Sequence, residues 1–160
     1  MRTIAYYVIA LIVIIADQWS KRLVVQQMEI GERIEVIPGY VSILSHRNSG
    51  AAWGMLEGKM AFFYVVTIFV VGGLLYYFYK EAKHDTLLSV AIMLLVGGAI
   101  GNFIDRVLYQ HVVDFISVWI PVIDYNFPIF NIADAALTIG VILLIIHMLF
   151  EEKLKSKVKS

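Results

Sequence analysis

The sequence predicts an all-α integral membrane protein of four transmembrane helices, with a small extracytoplasmic β-strand element in the first outer loop. Three observations carry that class. Sixty per cent of the 160 residues are hydrophobic, only 16% are charged, and the mean hydropathy is +0.78, whereas an ordinary soluble domain is about 45–50% apolar. The apolar residues gather into four runs, about 4–24, 60–79, 87–103 and 132–150, each close to the ~20 residues that cross a bilayer core of roughly 30 Å. Between the first two runs, 25–59 contains short alternating segments of strand type. The same reading makes 1–160 a single membrane domain that ends in a cytoplasmic tail at 151–160.

The first run opens with 13 apolar residues, Ile4 to Ala16, after Arg2, a length that also suits the core of a secretory signal peptide. No small-x-small cleavage site follows. Asp17-Gln18-Trp19-Ser20-Lys21 follows instead, and a helical pattern continues through it to Leu23-Val24-Val25. Asp17 and Lys21 are four residues apart with the acid first, so they share one helix face in the favourable order. An even number of spans puts both termini on one side. Seven of the thirteen Lys and Arg residues, Arg2, Lys80, Lys83, Lys153, Lys155, Lys157 and Lys159, lie in the N-terminus, the short second connection and the tail. The positive-inside rule therefore places both termini in the cytoplasm and turns 25–59 and 104–131 outward. Tyr6, Tyr7 and the run Tyr76 to Tyr79 then mark the inner interface, and Trp19, Trp53, Phe62 and Phe63 the outer one.

In the first outer connection, Arg33–Ile37 and Tyr40–Leu44 alternate around Pro38-Gly39 as two strands and a turn. Two strands alone are marginal in water, so the pair is expected to lie on the membrane surface or to pack on the helix ends. A polar turn, His46-Arg47-Asn48-Ser49, leads from it into Gly50-Ala51-Ala52-Trp53. The third run carries Gly97 and Gly101, a small-xxx-small pair suited to close helix packing, and it is short unless it continues through Asp105 and Arg106. Those two are neighbours, so each needs a partner elsewhere, with Asp17, Lys21, Asp114 or Asp134 as candidates. In the fourth run Asn131 is a candidate N-cap with Asp134 at N3, the spacing of a capping box. The small residues of runs three and four, including Ala133, Ala136 and Gly140, favour close approach of those helices and leave any gap elsewhere.

Composition also excludes. Formal net charge is zero, so no nucleic-acid partner is indicated. The chain has no cysteine, hence no disulfide, no thiolate metal site and no cysteine nucleophile. His46, His84, His111 and His147 are scattered, and neither a metal nor a cofactor has support. Gly54 to Lys59 approaches a phosphate-binding loop but is one residue short, with Met60 in place of the hydroxyl residue. Gly-x-Ser-x-Gly and His-Glu-x-x-His are missing from the sequence. Ser49 beside Lys59 has no base at a short spacing to activate it.

What remains is polar and collects at one depth: Asp17, Lys21, Asn48, Asn102, Asp105, Arg106, Asp114, Asn131 and Asp134 come from the span ends and both outer loops. Each buried polar group costs kilocalories unless paired, so a shared polar pocket is expected. A proton-coupled transporter would place such carboxylates near the midplane, among inverted repeats or broken helices, and no repeat is visible here. A noncatalytic scaffold would tolerate Asn at either Asp114 or Asp134.

Five ordered segments, Asp17-Gln18-Trp19-Ser20-Lys21, Asn48-Ser49-Gly50-Ala51-Ala52-Trp53, Gly101-Asn102-Phe103-Ile104-Asp105-Arg106, Val112-Val113-Asp114-Phe115 and Phe130-Asn131-Ile132-Ala133-Asp134, cover nearly the whole chain. Together they resemble the motifs of the lipoprotein signal peptidases, also called signal peptidase II. The resemblance implies a multi-pass aspartyl endopeptidase of the bacterial cytoplasmic membrane, with its active site near the outer face. Its substrate would be a diacylglyceryl-modified prolipoprotein, cut just before the lipidated cysteine, and its surroundings membrane lipids. It implies Asp114 and Asp134 as the catalytic pair, and Asn48, Gly50, Asn102, Arg106 and Asn131 as residues that position substrate or a globomycin-type cyclic peptide inhibitor. Asp17, Lys21 and Asp105 would support the site. Two close carboxylates hold one proton between them. Asp134, at a helix N-terminus, is expected to be the ionised base, and Asp114 the acid. The 114–134 segment is expected to be a loop, with Trp53 and the strand pair covering the site from outside.

Overall fold

The computed structural model describes residues 2–50 and 55–159. In chain order its elements are helix α1 (Arg2–Gln27), strands β1 (Arg33–Ile37) and β2 (Val41–Asn48), helices α2 (Met60–Lys80) and α3 (Thr86–Tyr109), strands β3 (Val112–Ile120) and β4 (Tyr125–Asn126), and helix α4 (Ile132–Lys159). Short 3-10 turns, Ala82–His84 and Pro121–Ile123, join α2 to α3 and β3 to β4.

Helix α3 is central because its small residues let neighbours come close. A Cβ on Gly97 would stand 2.9 Å from the Ala10 carbonyl oxygen of α1, and one on Gly98 would stand 2.5 Å from the Ala133 carbonyl oxygen of α4. Gly140 of α4 reciprocates against Ala91 and Leu95 of α3. Around these approaches Leu88, Ile92, Met93 and Val96 of α3 form a core with Tyr6 and Ala10 of α1 and Phe78 of α2. Outward faces are apolar as well: Leu11, Ile15, Ile68, Phe69, Ile142 and Ile145 are exposed. Helices with apolar outer faces and fully paired backbones suit a lipid solvent. Helices α2 and α3 and the Ile132–Glu151 part of α4 are long and apolar enough to cross a membrane.

The third run does continue through Asp105 and Arg106. It stops at Tyr109 because Gln110 takes a left-handed conformation, φ 61°, and its N–H closes on the Arg106 carbonyl at 3.1 Å. At the other end of α3, Asp85 is the N-cap. It accepts the Leu88 N–H at 2.8 Å and contacts His147 of α4 at 3.1 Å.

The strands form one antiparallel sheet in the order β1-β2-β3-β4. Strand β1 coincides with its expected range, while β2 runs four residues beyond the expected Leu44, to Asn48. The larger difference lies in the second outer connection, expected to be a loop between Asp114 and Asp134. Its first part is the nine-residue strand β3. Val112, Val113, Asp114 and Phe115 are all buried, so both faces of the strand are covered and no alternation marks it in the sequence. Strand β2 pairs with β3 from Val41↔Val118 to Asn48↔Val112, with a register shift between Ile43 and His46. Val113 and Phe115 pack with Val24 and Met28 of α1 and Ile132 of α4. The hairpin is therefore not left as two strands in water. It is a sheet seated on helix ends, one of the two placements expected for it.

Candidate active site

The described parts of the five polar segments converge where α1, α3, α4 and the paired strands β2 and β3 meet. The deepest layer is a charge knot. Lys21 bridges Asp17 at 2.8 Å and Asp105 at 3.0 Å, and all three side chains are no more than 3% exposed. Asp17 also accepts the Ala133 N–H at 2.9 Å, and Asp105 the Val113 N–H at 3.0 Å. Gln18 donates to Asp17, to Asp105 and to the Gly101 carbonyl oxygen, at 3.2, 2.8 and 3.1 Å. Two carboxylates and one ammonium thus tie α1 to α3, to the start of α4 and to β3. Nothing in the local sequence around Gln18 marks it for this role. Its reach across to α3 is a tertiary fact.

On this layer rests a row of three amides whose orientations are dictated by their neighbours. Lys21 can only donate, so the Asn102 oxygen faces it at 2.9 Å and the Asn102 NH2 points to Asp134 Oδ1 at 2.7 Å. The Asn131 oxygen accepts the Asp134 backbone N–H at 2.9 Å, which turns the Asn131 NH2 to Asp114 Oδ1 at 2.7 Å and to Asn102 Oδ1 at 3.1 Å. The Asn48 oxygen accepts the Gly50 N–H at 2.9 Å, leaving its NH2 for Asp114 Oδ2, also at 2.9 Å. Asp134 Oδ2 accepts the Asn131 N–H at 3.1 Å, which completes the capping box expected at the start of α4. Capping and a role in the polar cluster are not alternatives here: one carboxylate does both. Each of the four oxygens of Asp114 and Asp134 receives one N–H donor in this network, and each keeps a lone pair.

Both carboxyls line one cavity of about 670 Å3. Its polar wall is Asn48, Asn102, Arg106, Asp114 and Asp134. Its apolar wall comes from Phe127, Pro128, Ile129 and Phe130 before α4, and from Leu137 and Ile139 on α4. Arg106 donates to the Gly50 carbonyl oxygen at 3.2 Å, and its guanidinium lies 4.4 Å from the centre of the Phe63 ring. Its Nε is buried and has no partner among the described residues. The acids of the cluster, Asp17, Asp105, Asp114 and Asp134, outnumber the cations Lys21 and Arg106 by four to two. Burial pushes the Asp114 carboxyl up to about 7. The Asn48 amide opposes the rise, the Asp134 charge adds to it, and Asn131 again opposes it.

All nine polar residues expected to share a pocket belong to this one network or line its cavity. Asp105 finds its partner in Lys21, one of the candidates named from sequence. Ser49 donates instead to Glu57 at 2.8 Å. Trp53, with Ala51, Ala52 and Gly54, lies outside the described residues. Thr67 of α2 and Thr138 of α4 line the cavity and were not anticipated, since single threonines in apolar helices carry no sequence signal.

A helical membrane protein whose paired carboxyls face a cavity among its helix ends is the class that fold and site define. Residues 9–150 match the family model described as signal peptidase (SPase) II, a family of peptidases, and the chain belongs to that family. It is similar to the lipoprotein signal peptidase of Bacillus velezensis, 57% identical over 95% of this chain and 98% of that one. It is also similar to the lipoprotein signal peptidase of Halalkalibacterium halodurans, 51% identical over 97% and 98%. Two solved structures of a bacterial membrane enzyme, obtained by the in meso method at 2.3 and 1.9 Å resolution, are each 52% identical. They superpose with TM-scores of 0.88 and 0.83 and cover 92% and 91% of this chain, and 89% and 92% of their own.

Proposed function

We propose that the chain is a lipoprotein signal peptidase acting as an intramembrane aspartyl endopeptidase, with Asp114 and Asp134 as the catalytic pair. The observation that carries this reading is the placement of the two carboxyls on one cavity, joined through Asn131 and each held by two amide donors. Two carboxyls facing one buried cavity share a proton in this reading. Burial on β3 makes Asp114 the member that keeps it near neutral pH. Asp134 stands in the first turn of α4, its oxygens held by the Asn102 amide and the Asn131 N–H. Asp134 then takes a proton from water as the water attacks the scissile carbonyl and Asp114 donates its proton to the carbonyl oxygen; as the C–N bond breaks, Asp134 passes its proton to the leaving amine and Asp114 recovers one from the hydroxyl of the tetrahedral intermediate. Asn48, Gly50, Asn102, Arg106 and Asn131 hold the pair and the peptide in register, and Asp17, Lys21 and Asp105 fix the platform beneath them.

The substrate in this reading is a diacylglyceryl-prolipoprotein cut on the N-terminal side of its lipidated cysteine. Such a peptide is already in the bilayer, and the mixed polar and apolar cavity walls suit a peptide backbone flanked by lipid. A globomycin-type cyclic peptide would compete for the same walls. Four spans, including α1, put both termini in the cytoplasm and the cavity near the outer face of the bacterial membrane, with the sheet beyond it and lipid around the helices. The test uses purified protein in lipid, a lipidated prolipoprotein, and the Asp114→Asn and Asp134→Asn variants. Cleavage by the natural chain and its loss in both variants, with folding intact, is the expected result. Undiminished cleavage in either variant overturns the proposal.

A further inference from the structure

Gly72 and Gly73 stand together in the middle of α2, both exposed, and a Cβ on either would meet nothing within 4 Å. Gly97, Gly98, Gly101 and Gly140 each hold a neighbour at a distance that a methyl group would violate. Packing therefore explains those four and gives no reason for the pair in α2. Adjacent glycines weaken a helix and are a common site of bending.

The pair also divides α2 into halves held in different ways. Beyond it, Phe78 is fully buried, edge-on to Tyr6 and Tyr7 at 6.0 and 5.4 Å between ring centres, in the core with Leu88 and Ile92. Before it, Phe62, Val65, Ile68 and Phe69 are exposed, while Met60 at its start is buried and Val71, next to the glycines, packs on the core. That half is held by a latch. The Tyr64 hydroxyl donates to the Arg106 carbonyl oxygen at 2.8 Å and accepts from Gln110 Nε2 at 2.7 Å. The Tyr64 ring lies edge-on to Phe103 at 5.9 Å, and Phe63 lies against the Arg106 guanidinium. Release leaves the Arg106 carbonyl paired, because it also accepts the Gln110 N–H. Thr67, one turn along from Tyr64, lines the cavity that holds Asp114 and Asp134.

We infer that α2 is a hinged gate. Its Met60–Val70 part swings about Gly72-Gly73 when the Tyr64 latch opens, and this widens the cavity on the lipid side for a membrane-borne peptide helix. The inference rests on the proposed reading of the cavity as the site for such a peptide.

The chain has no cysteine, so spin labels at Phe62→Cys and Val141→Cys, both exposed positions, report the separation of α2 from α4 in lipid nanodiscs. The natural glycines should give a close and a wide population. Gly72→Ala/Gly73→Ala, for which the methyl groups have room, should lower the wide population about tenfold or more, the weight of two glycine-to-alanine replacements in helix propensity. Tyr64→Phe should raise it. In parallel, the alanine pair should lower kcat/KM on a prolipoprotein with its full membrane helix, and leave it unchanged on a lipidated peptide truncated to the residues around the cut. One unchanged separation in all three chains overturns the gate. Because the distances need no substrate, a chain that shows the expected shifts yet cleaves neither substrate keeps the gate and overturns the functional reading instead.

Discussion

Replacing Asn48 by alanine tests the proton on Asp114 directly. Asn48 supplies the donor to Asp114 Oδ2, at 2.9 Å, while Asn131 keeps Oδ1. A hydrogen bond to a charged group is worth roughly 1.5–3 kcal/mol, against about 1 kcal/mol for a neutral pair. Losing this bond therefore penalises the ionised carboxyl over the protonated one by about 1 kcal/mol, close to one pH unit at 1.36 kcal/mol per unit. The sign follows: the Asp114 pKa moves above its value of about 7. If Asp114 is the acid, the rate falls as pH rises through that value, and the alkaline limb of the variant should lie about one unit higher, whatever happens to the maximal rate. Initial rates of lipidated peptide cleavage between about pH 5 and about pH 9 measure it. A limb that stays in place, or moves to lower pH, refutes the assignment of the proton.

Stability should carry the same proton. The folded chain retains a proton on Asp114 that the unfolded chain releases above pH 3.8, so stability should fall as pH rises from there to about 7, by up to about 4 kcal/mol at 1.36 kcal/mol per unit. Thermal unfolding of Asp114→Asn against pH should lack that decline. Asp114→Asn and Asp134→Asn should each lower cleavage by roughly 10²–10⁴-fold in single-turnover assays while remaining folded. Lys21→Met should cost about 3–5 kcal/mol, because Asp17 and Asp105 lose their common cation in a dry site. A melting temperature equal to that of the natural chain would refute the charge knot. Gly98→Ala should cost about 1–3 kcal/mol through its clash with the Ala133 carbonyl and Leu137, read as a lower melting temperature and slower cleavage.

The apolar runs, the charge asymmetry of the loops and the order of the polar segments are local quantities, and they were enough to read helices, candidate acids and family from the sequence. The Asn131–Asp134 capping box was legible for the same reason, since its partners are three residues apart. Strand β3 was not, because a strand buried on both faces has no period-two pattern, and its pairing with β2 spans more than sixty positions, as in Asn48↔Val112. Which amide serves which carboxylate was likewise closed to the sequence. Asn102 faces Asp134 because Lys21, eighty-one positions away, can only donate. Residue types and spacing thus determined which groups this chain must bury together. Only the tertiary structure decided their orientation, since a hydrogen bond has a direction that composition and spacing do not carry.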